Sequence, residues 1–463
     1  MNQNSTNTIR YHLQIKIFGI MGLHHKDTET WTYITEDEYN AIRPLVGSSL
    51  PTMAISKVKK DKDGEPQCAK YCVIVLGNLD PNNWDSSDCF APVLLSLELQ
   101  LLVSIATQMK IKCKSGDVSQ AFVQSTLPAD EKYVIRPPKG CPITPPHTLL
   151  LLKKTLYGLR RSPRQWYETC KKTLMSIGLK PLPNAPCIFT SCPIQGQPPL
   201  YLGLFVEDFI YFSTSPEVEA TFSKSFSAQY KVNFEPEIQH FLGLKFTNVQ
   251  HPNRHLDVYL NQPTDIQEII SKAGLSNPET YTAPTPYRSG FPVDTVPQDP
   301  QLSLSQQESQ NKTLQEYVGS LQWLSNQTRP NKATITNLIA QYHSKAQQGH
   351  INTGAKYVIQ YLKKNPFLGI KFSSQDNAAL SSFVQFPTKP TTLCGLLPPL
   401  QRQLGSPRPI RPDRQRSGRT PRTIQIKIYR RLHRLAWRSH RLEQQTPIIH
   451  SSQFSPCRNR RGQ

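Results

Sequence analysis

The chain is 463 residues long, with 37% hydrophobic residues, 40 prolines and a net charge of +21, room for about two to four compact units. The charge is lopsided. Residues 401–463 hold fifteen Arg and one Lys against Asp413 and Glu443, a net +14 that leaves +7 for residues 1–400, so overall basicity does not by itself mark a nucleic-acid-binding surface.

Residues 1–30 begin with a polar stretch, unlike a secretory signal, and show no clear periodicity. From Trp31 to Val118 short apolar strands alternate with turns. Asp61-Lys62-Asp63-Gly64 reads as a hairpin turn, and 71–76 as a β-rich run ending at Gly77. The segment 94–109 carries a broad helical stripe. Glu98 and Gln100 interrupt it, which suits a buried helix rather than a membrane span. A short strand is expected at 111–113, and loops at Pro137-Pro138 and 142–146. An amphipathic helix is expected over 166–177, ending near Gly178, with a loop at 181–186. Two strands, 200–206 and 209–213, flank an acidic pair, and 314–328 and 333–349 read as helices. Beyond Leu397 Pro, Arg and Gln dominate without period, and no internal repeat is visible. The ten cysteines are scattered, four apart at Cys68 and Cys72 and five apart at Cys187 and Cys192, with no matching second cysteine pair. They read as reduced intracellular thiols, which implies a cytoplasmic or nuclear protein.

Three acids carry the chemistry. Asp117 lies in DVSQAF, and Glu207 and Asp208 lie in LFVEDFIYF between two apolar half-strands. A hairpin with two acids at its tip, facing a third on a neighbouring strand, can hold two divalent cations. Acid pairs in turns are more often solvated turn chemistry, but the apolar runs on both sides bury this hairpin.

The order CFAPV, DVSQAF, LLLLKKTLYGLRRSPRQWY, LGLFVEDFIYF and HFLGLKF resembles that of Ty1/copia-type retrotransposon reverse transcriptases, over roughly residues 30–385. The resemblance implies an α+β right hand of fingers, palm and thumb, and an RNA-directed DNA polymerase that adds deoxynucleotides to a primer 3′-OH. It implies Asp117, Glu207 and Asp208 as ligands of two Mg²⁺ ions, with Mn²⁺ as a substitute. Phe122 would be the steric gate against a 2′-hydroxyl, or else a core Phe. Tyr157 and Gly158 would line the nucleotide and template pocket, where glycine permits close approach of the backbone. Arg160, Arg161 and Arg164 would lie near template or phosphate, with solvated surface charge an equal reading of Arg161. Leu242 and Gly243 resemble the primer grip, against plain hairpin packing. Lys231 would be the acid for the leaving pyrophosphate. The implied partners are an RNA template, a DNA or RNA primer and deoxynucleoside triphosphates, and no membrane.

Two positions depart from the family. Glu207 stands where relatives have Asp, and its extra methylene displaces the carboxylate by about 1 Å, a misplacement that can cost about a hundredfold in rate. Cys72 stands where relatives carry a base facing the triphosphate; a thiol offers no bidentate phosphate contact, which leaves Lys70 nearby as the remaining cation. The tail points the same way. Read one base later, permitted codons for Gln403 to Ile410 spell Asn-Trp-Gly-Pro-Gln-Asp-Gln-Ser, which is similar to the opening of the copia-type ribonuclease H domain, and 435–447 behaves alike. The tail is therefore expected to be a frameshift product. The expected organisation is a disordered leader over 1–30, fingers and palm over 31–253, a thumb- or connection-like region over 254–385, and a basic Pro/Arg-rich tail over 386–463. Competing outcomes are a non-catalytic template–primer binding remnant and an unfolded pseudogene product.

Overall fold

The computed structural model describes residues 29–60, 66–138, 147–191, 196–287, 293, 296–300 and 302–374. The leader expected over 1–30 lies almost wholly outside these residues, as do the 61–64 turn, the 142–146 loop and the tail over 386–463. The chain forms mixed helix and sheet in two compact units, one running to Ile238 and the second starting at Gln239.

The first unit begins with β1 (Trp31–Thr35), whose last residue caps α1 (Glu36–Val46). Thr35 and Glu38 exchange side-chain-to-backbone bonds in a reciprocal capping box. β2 (Thr52–Lys60) and β3 (Pro66–Val75) pair antiparallel as a hairpin. A single turn, α2 (Ser86–Cys89), precedes α3 (Ser96–Gln108), the helix expected at 94–109. The strand expected at 111–113 lies slightly later, as β4 (Lys114–Val118), and contains Asp117. It was hard to see because Lys114, Ser115 and Gly116 are polar or small. Gly116 is required: a Cβ there would sit 2.5 Å from the Phe209 ring.

β5 (Val134–Ile135) and β6 (Thr148–Leu152) join β1 in a three-stranded sheet ordered β1-β6-β5. α4 (Ser162–Ser176) starts one turn earlier than the apolar period suggests, with Pro163 in its first turn, where the missing N–H leaves no intrahelical bond unmade. It ends before Gly178, at φ +94°. β7 (Leu179–Leu182), β8 (Ala185–Ser191), β9 (Tyr201–Phe205) and β10 (Asp208–Phe212) follow as a meander. α5 (Pro216–Ser227) is capped by Ser215, and β11 (Val232–Glu235) closes a six-stranded sheet ordered β11-β4-β10-β9-β8-β7. Phe209, Tyr211, Phe222, Phe226 and Phe234 form a ring-to-ring cluster behind that sheet. On the opposite face Gly203 admits Leu102 of α3, since a Cβ there would come within 2.7 Å of Leu102.

The second unit holds β12 (His240–Phe241), β13 (Leu244–Gln250), β14 (Leu256–Asn261) and β15 (Ile370–Ser373), in that order in one antiparallel sheet. Its helices are α6 (Pro263–Lys272), α7 (Leu304–Gln327), α8 (Ala333–Ala340) and α9 (Lys356–Lys364). Ile266, Ile270, Leu314, Leu321, Ile339 and Leu362 meet in their common core. α7 starts ten residues before the apolar stripe, at the Ser303/Gln306 capping box. α8 stops short of the expected 349 because Asn311 and Gln315 of α7 donate to the carbonyls of Ser344 and His343 and hold those residues in turns.

Candidate active site

β4 lies between β10 and β11, and the antiparallel register pairs Asp208 with Asp117 and Asn233 with Asp117. Residues directly opposite in such a pair share one face, so Asn233, Asp117 and Asp208 form a row across three strands. Asn233 Nδ2 donates to Asp117 Oδ1 at 3.2 Å, which fixes the carboxylate on the side away from Asp208. Like charges set directly opposite are destabilising. Two facing carboxylates of this kind suit a divalent cation, and Mg²⁺ prefers all-oxygen sets with open positions, so the donor set fits.

Glu207 occupies the two-residue turn between β9 and β10, beside Asp208, which pairs back to Phe205. It is buried, and its carbonyl accepts the Val118 N–H at 2.9 Å, tying the turn to β4. Val206 has φ +53°, a true outlier for a β-branched residue. Such strain persists only where the surroundings over-determine it. Here the buried Trp166 indole Nε1–H of α4 donates to the Val206 carbonyl at 2.7 Å. Neither Asn233 nor Trp166 was assigned a role from the sequence. Asn233 carries no local signal, because its place depends on a strand pairing 116 residues apart. Trp166 stands inside the motif that signalled the family, next to a hairpin only tertiary structure reveals.

Five residues after Asp117, Phe122 sits half-buried in a short helical turn, Ala121–Gln124, entered through Gln120 at φ +56°. The Thr155 hydroxyl donates to its carbonyl. The ring meets Tyr157 edge to face, centroids 4.6 Å apart, so these two sequence-derived positions are brought together. Gly158 has φ +92°, and a Cβ there would lie 2.0 Å from the Val75 carbonyl oxygen. The close backbone approach this glycine allows is thus to β3 of the same chain. The Val75 N–H also donates to the Tyr157 carbonyl at 2.8 Å.

Of the arginines, the exposed Arg160 donates through Nε to the Gly77 carbonyl at 3.0 Å, and the half-buried Arg164 donates to that of Phe90 at 3.2 Å and pairs with Glu168. Arg161 is engaged differently, in an ion pair with the buried Glu131 and over the Trp84 ring. Cys72 lies half-buried on β3 opposite Ile55, and Lys70 on the same strand opposite Lys57, with its side chain outside the described residues. Lys231 is exposed, and its carbonyl accepts the Ser119 N–H. Leu242 and Gly243 belong to the second unit. They form the two-residue turn between β12 and β13, both with positive φ (+51° and +77°), as a type I′ hairpin requires. Cys72, Cys89, Cys113, Cys170 and Cys187 are free thiols, and burial pushes Cys113 and Cys187 up to about 12.

Facing carboxylates on adjacent strands, with a third on the connecting turn, are a donor set of the kind that enzymes acting on phosphate esters with divalent cations use. Residues 43–287, just over half of the sequence, match the family described as reverse transcriptase (RNA-dependent DNA polymerase), and the chain belongs to that family. It is similar to the retrovirus-related Pol polyprotein from transposon RE1 of Arabidopsis thaliana, at 25% identity over 70% of this chain and 21% of the relative. The corresponding protein from transposon TNT 1-94 of Nicotiana tabacum is 22% identical over 67% of this chain and 23% of the relative. The transposon Ty1-DR4 Gag-Pol polyprotein of Saccharomyces cerevisiae is 26% identical over 53% and 15%. The chain spans about a fifth of the length of the plant relatives it matches. Among the described residues no helix is long and apolar enough to cross a membrane.

Proposed function

We infer that this chain is the polymerase portion of a Ty1/copia-type Pol polyprotein, adding deoxynucleotides to a primer 3′-OH under an RNA template. The observation that carries the reading is the register that sets Asp208 directly opposite Asp117, with Glu207 on the adjoining turn. In this reading residues 31–253 supply fingers and palm, with the Leu242-Gly243 primer grip, and residues 254–385 supply the thumb or connection. Asp117, Glu207 and Asp208 hold two Mg²⁺ ions. Bound there, divalent ions lower the pKa of the primer hydroxyl and stabilise the departing pyrophosphate oxygen. The Phe122 ring, backed by Tyr157, fills the space a 2′-hydroxyl would need. Arg160, which is exposed, and Arg164, which is half-buried, are the cations assigned to the template, and Lys70 is the remaining cation for the triphosphate in place of Cys72.

A second reading, a template–primer binder that does not turn over, is favoured by Glu207 and Cys72. Primer extension by the full chain on poly(rA)/oligo(dT), in Mg²⁺ and in Mn²⁺, separates the two. The polymerase reading expects extension that vanishes in Asp117→Asn and rises about tenfold or more in the double reversion Glu207→Asp with Cys72→Arg. Retention of the duplex in a gel shift, with no extension by either protein, would establish the binding remnant instead.

A further inference from the structure

In the second unit the β13–β14 hairpin carries a cluster that polymerisation does not use. His251 and His255 flank the turn and pair with each other, the His251 N–H donating to the His255 carbonyl at 2.9 Å. Asp257 pairs with Val249 on one side and Ser373 of β15 on the other. Alternation along the strands therefore sets His251, His255, Asp257 and Ser373 on one face. The contacts agree: His251 Nε2 lies 3.1 Å from Asp257 Oδ2, and His255 Nε2 lies 2.9 Å from Oδ1 and 3.1 Å from Ser373 Oγ. The two imidazoles stack within 9° of parallel, centroids 4.2 Å apart, both aimed at the same carboxylate.

We propose that His251, His255 and Asp257 bind a transition-metal dication of the zinc class. Their ligand atoms already lie within 4.8 Å of one another; a tetrahedral Zn²⁺ with bonds of about 2.0–2.1 Å holds its ligands about 3.3 Å apart. His251 is 37% exposed at its side chain and free to tilt toward the other two, whereas Asp257, at 3%, is fixed. Two imidazoles with one carboxylate suit Zn²⁺ better than Mg²⁺ or Ca²⁺. Each ring would ligate as the neutral tautomer, its proton on Nδ1 and its Nε2 lone pair on the metal.

A cation already sits on this carboxylate. The Lys371 ammonium lies 2.8 Å from Asp257 Oδ2, on a side chain 47% exposed that can swing into solvent. A metal there would fasten the turn between β13 and β14 beside β15, a strand reached more than a hundred residues later.

The test uses the full chain carrying Asp117→Asn, which weakens the polymerase carboxylates as competitors. The protein is kept reduced, stripped with a chelator, and titrated with Co²⁺ by visible absorption and with Zn²⁺ against a chromogenic chelator. One ion per chain is expected, with a d–d spectrum of nitrogen and oxygen ligands, no thiolate-to-cobalt charge-transfer band, and a melting temperature raised by Zn²⁺. His251→Ala removes a half-buried ring that stacks on His255 and bonds Asp257, so it should lower the metal-free melt slightly, abolish the Zn²⁺-induced rise and weaken Zn²⁺ about a hundredfold or more, at least as much as loss of an outer-shell partner does. Failure to bind, a thiolate charge-transfer band, or unchanged affinity in His251→Ala would each overturn the proposal. Because catalysis is not read, these outcomes are independent of the polymerase reading.

Discussion

Trp166→Phe tests whether the turn carrying Glu207 and Asp208 is held in place by α4. The substitution keeps an aromatic ring beside Pro92, Pro163 and Leu204 and removes the indole donor that reaches the Val206 carbonyl at 2.7 Å. Leaving the half-buried Val206 carbonyl without its donor costs up to about 1–3 kcal/mol, and the smaller ring adds roughly 1 kcal/mol of lost packing. The expected loss is thus about 2–4 kcal/mol, or roughly 4–16 °C in the melting temperature of a unit this size. The turn also loses the restraint that offsets the positive φ of Val206, strain of about 1–3 kcal/mol, and should relax away from its place beside β4. Mn²⁺ binding, followed by electron paramagnetic resonance, should therefore weaken by about tenfold or more, and any extension activity by about a hundredfold. Tyr167→Phe is the control. It removes a buried bond from the same helix, to the Pro186 carbonyl at 3.0 Å, but does not touch the turn. If both variants melt early yet bind Mn²⁺ equally well, the indole is ordinary core and the positioning argument fails.

Gly158→Ala should destabilise the first unit by about 3 kcal/mol or more in urea unfolding, because the new methyl would sit 2.0 Å from the Val75 carbonyl oxygen at φ +92°; a loss below about 1 kcal/mol would mean that the loop moves freely. In the second unit, burial beside Arg329 pushes the Lys332 ammonium down from 10.5 to about 6. Between those values the unfolded chain binds a proton that the folded chain does not, so stability rises with pH through that window, by up to about 1.4 kcal/mol per pH unit, and the penalty is complete below the lower value. Lys332→Met should flatten the rise in urea midpoint between pH 6 and 9, and an unchanged slope would assign it to other groups. Arg329 is 1% exposed; its guanidinium donates to the Asn365 carbonyl at 2.8 Å, lies over the Tyr361 ring and reaches the neutral Asn331 Oδ1 only at 3.5 Å, with no carboxylate among these contacts. Asn331→Asp gives that guanidinium a carboxylate and should raise thermal stability by about 1 kcal/mol, checked by the melting temperature of the variant beside Arg329→Lys with and without it.

The sequence made the helices and the acidic hairpin legible wherever a local pattern carried them. Two apolar half-strands around Glu207-Asp208 predict β9 and β10 to within a residue, and the stripe at 94–109 predicts α3. What it hid depends on partners far along the chain. β4 has little strand character of its own and becomes a central strand because Phe209 needs Gly116 beneath it and β10 and β11 pair on either side. The polar first turns of α7 look like loop until the Ser303/Gln306 cap is recognised, and the end of α8 is set by amides of α7 rather than by any breaker of its own. The His251-x-x-x-His255 spacing is a metal-ligand spacing already legible in the sequence; what the sequence leaves open is Asp257, which joins the pair only once the hairpin folds the three onto one face.

The same distinction bears on Glu207. Asp117 and Asp208 are fixed by hydrogen-bonded ladders, Asp117 on both sides, and the turn between β9 and β10 is held twice, through Val118 to the Glu207 carbonyl and through Trp166 to the Val206 carbonyl. The backbone that carries the third carboxylate is therefore set by groups other than the Glu207 side chain. Exchanging Asp for Glu at that position lengthens the arm by one methylene without moving its shoulder. Whatever activity is lost there is lost in the reach of one carboxylate, and it is recoverable by shortening that arm alone. Cys72 is a different kind of change, since no rearrangement of a half-buried thiol on β3 restores a bidentate cation. In the polymerase reading, the change at Glu207 alters geometry while conserving charge, and the change at Cys72 removes a charge outright. In that reading the second change is the one that shortening a side chain cannot reverse, and it leaves Lys70 as the cation on β3.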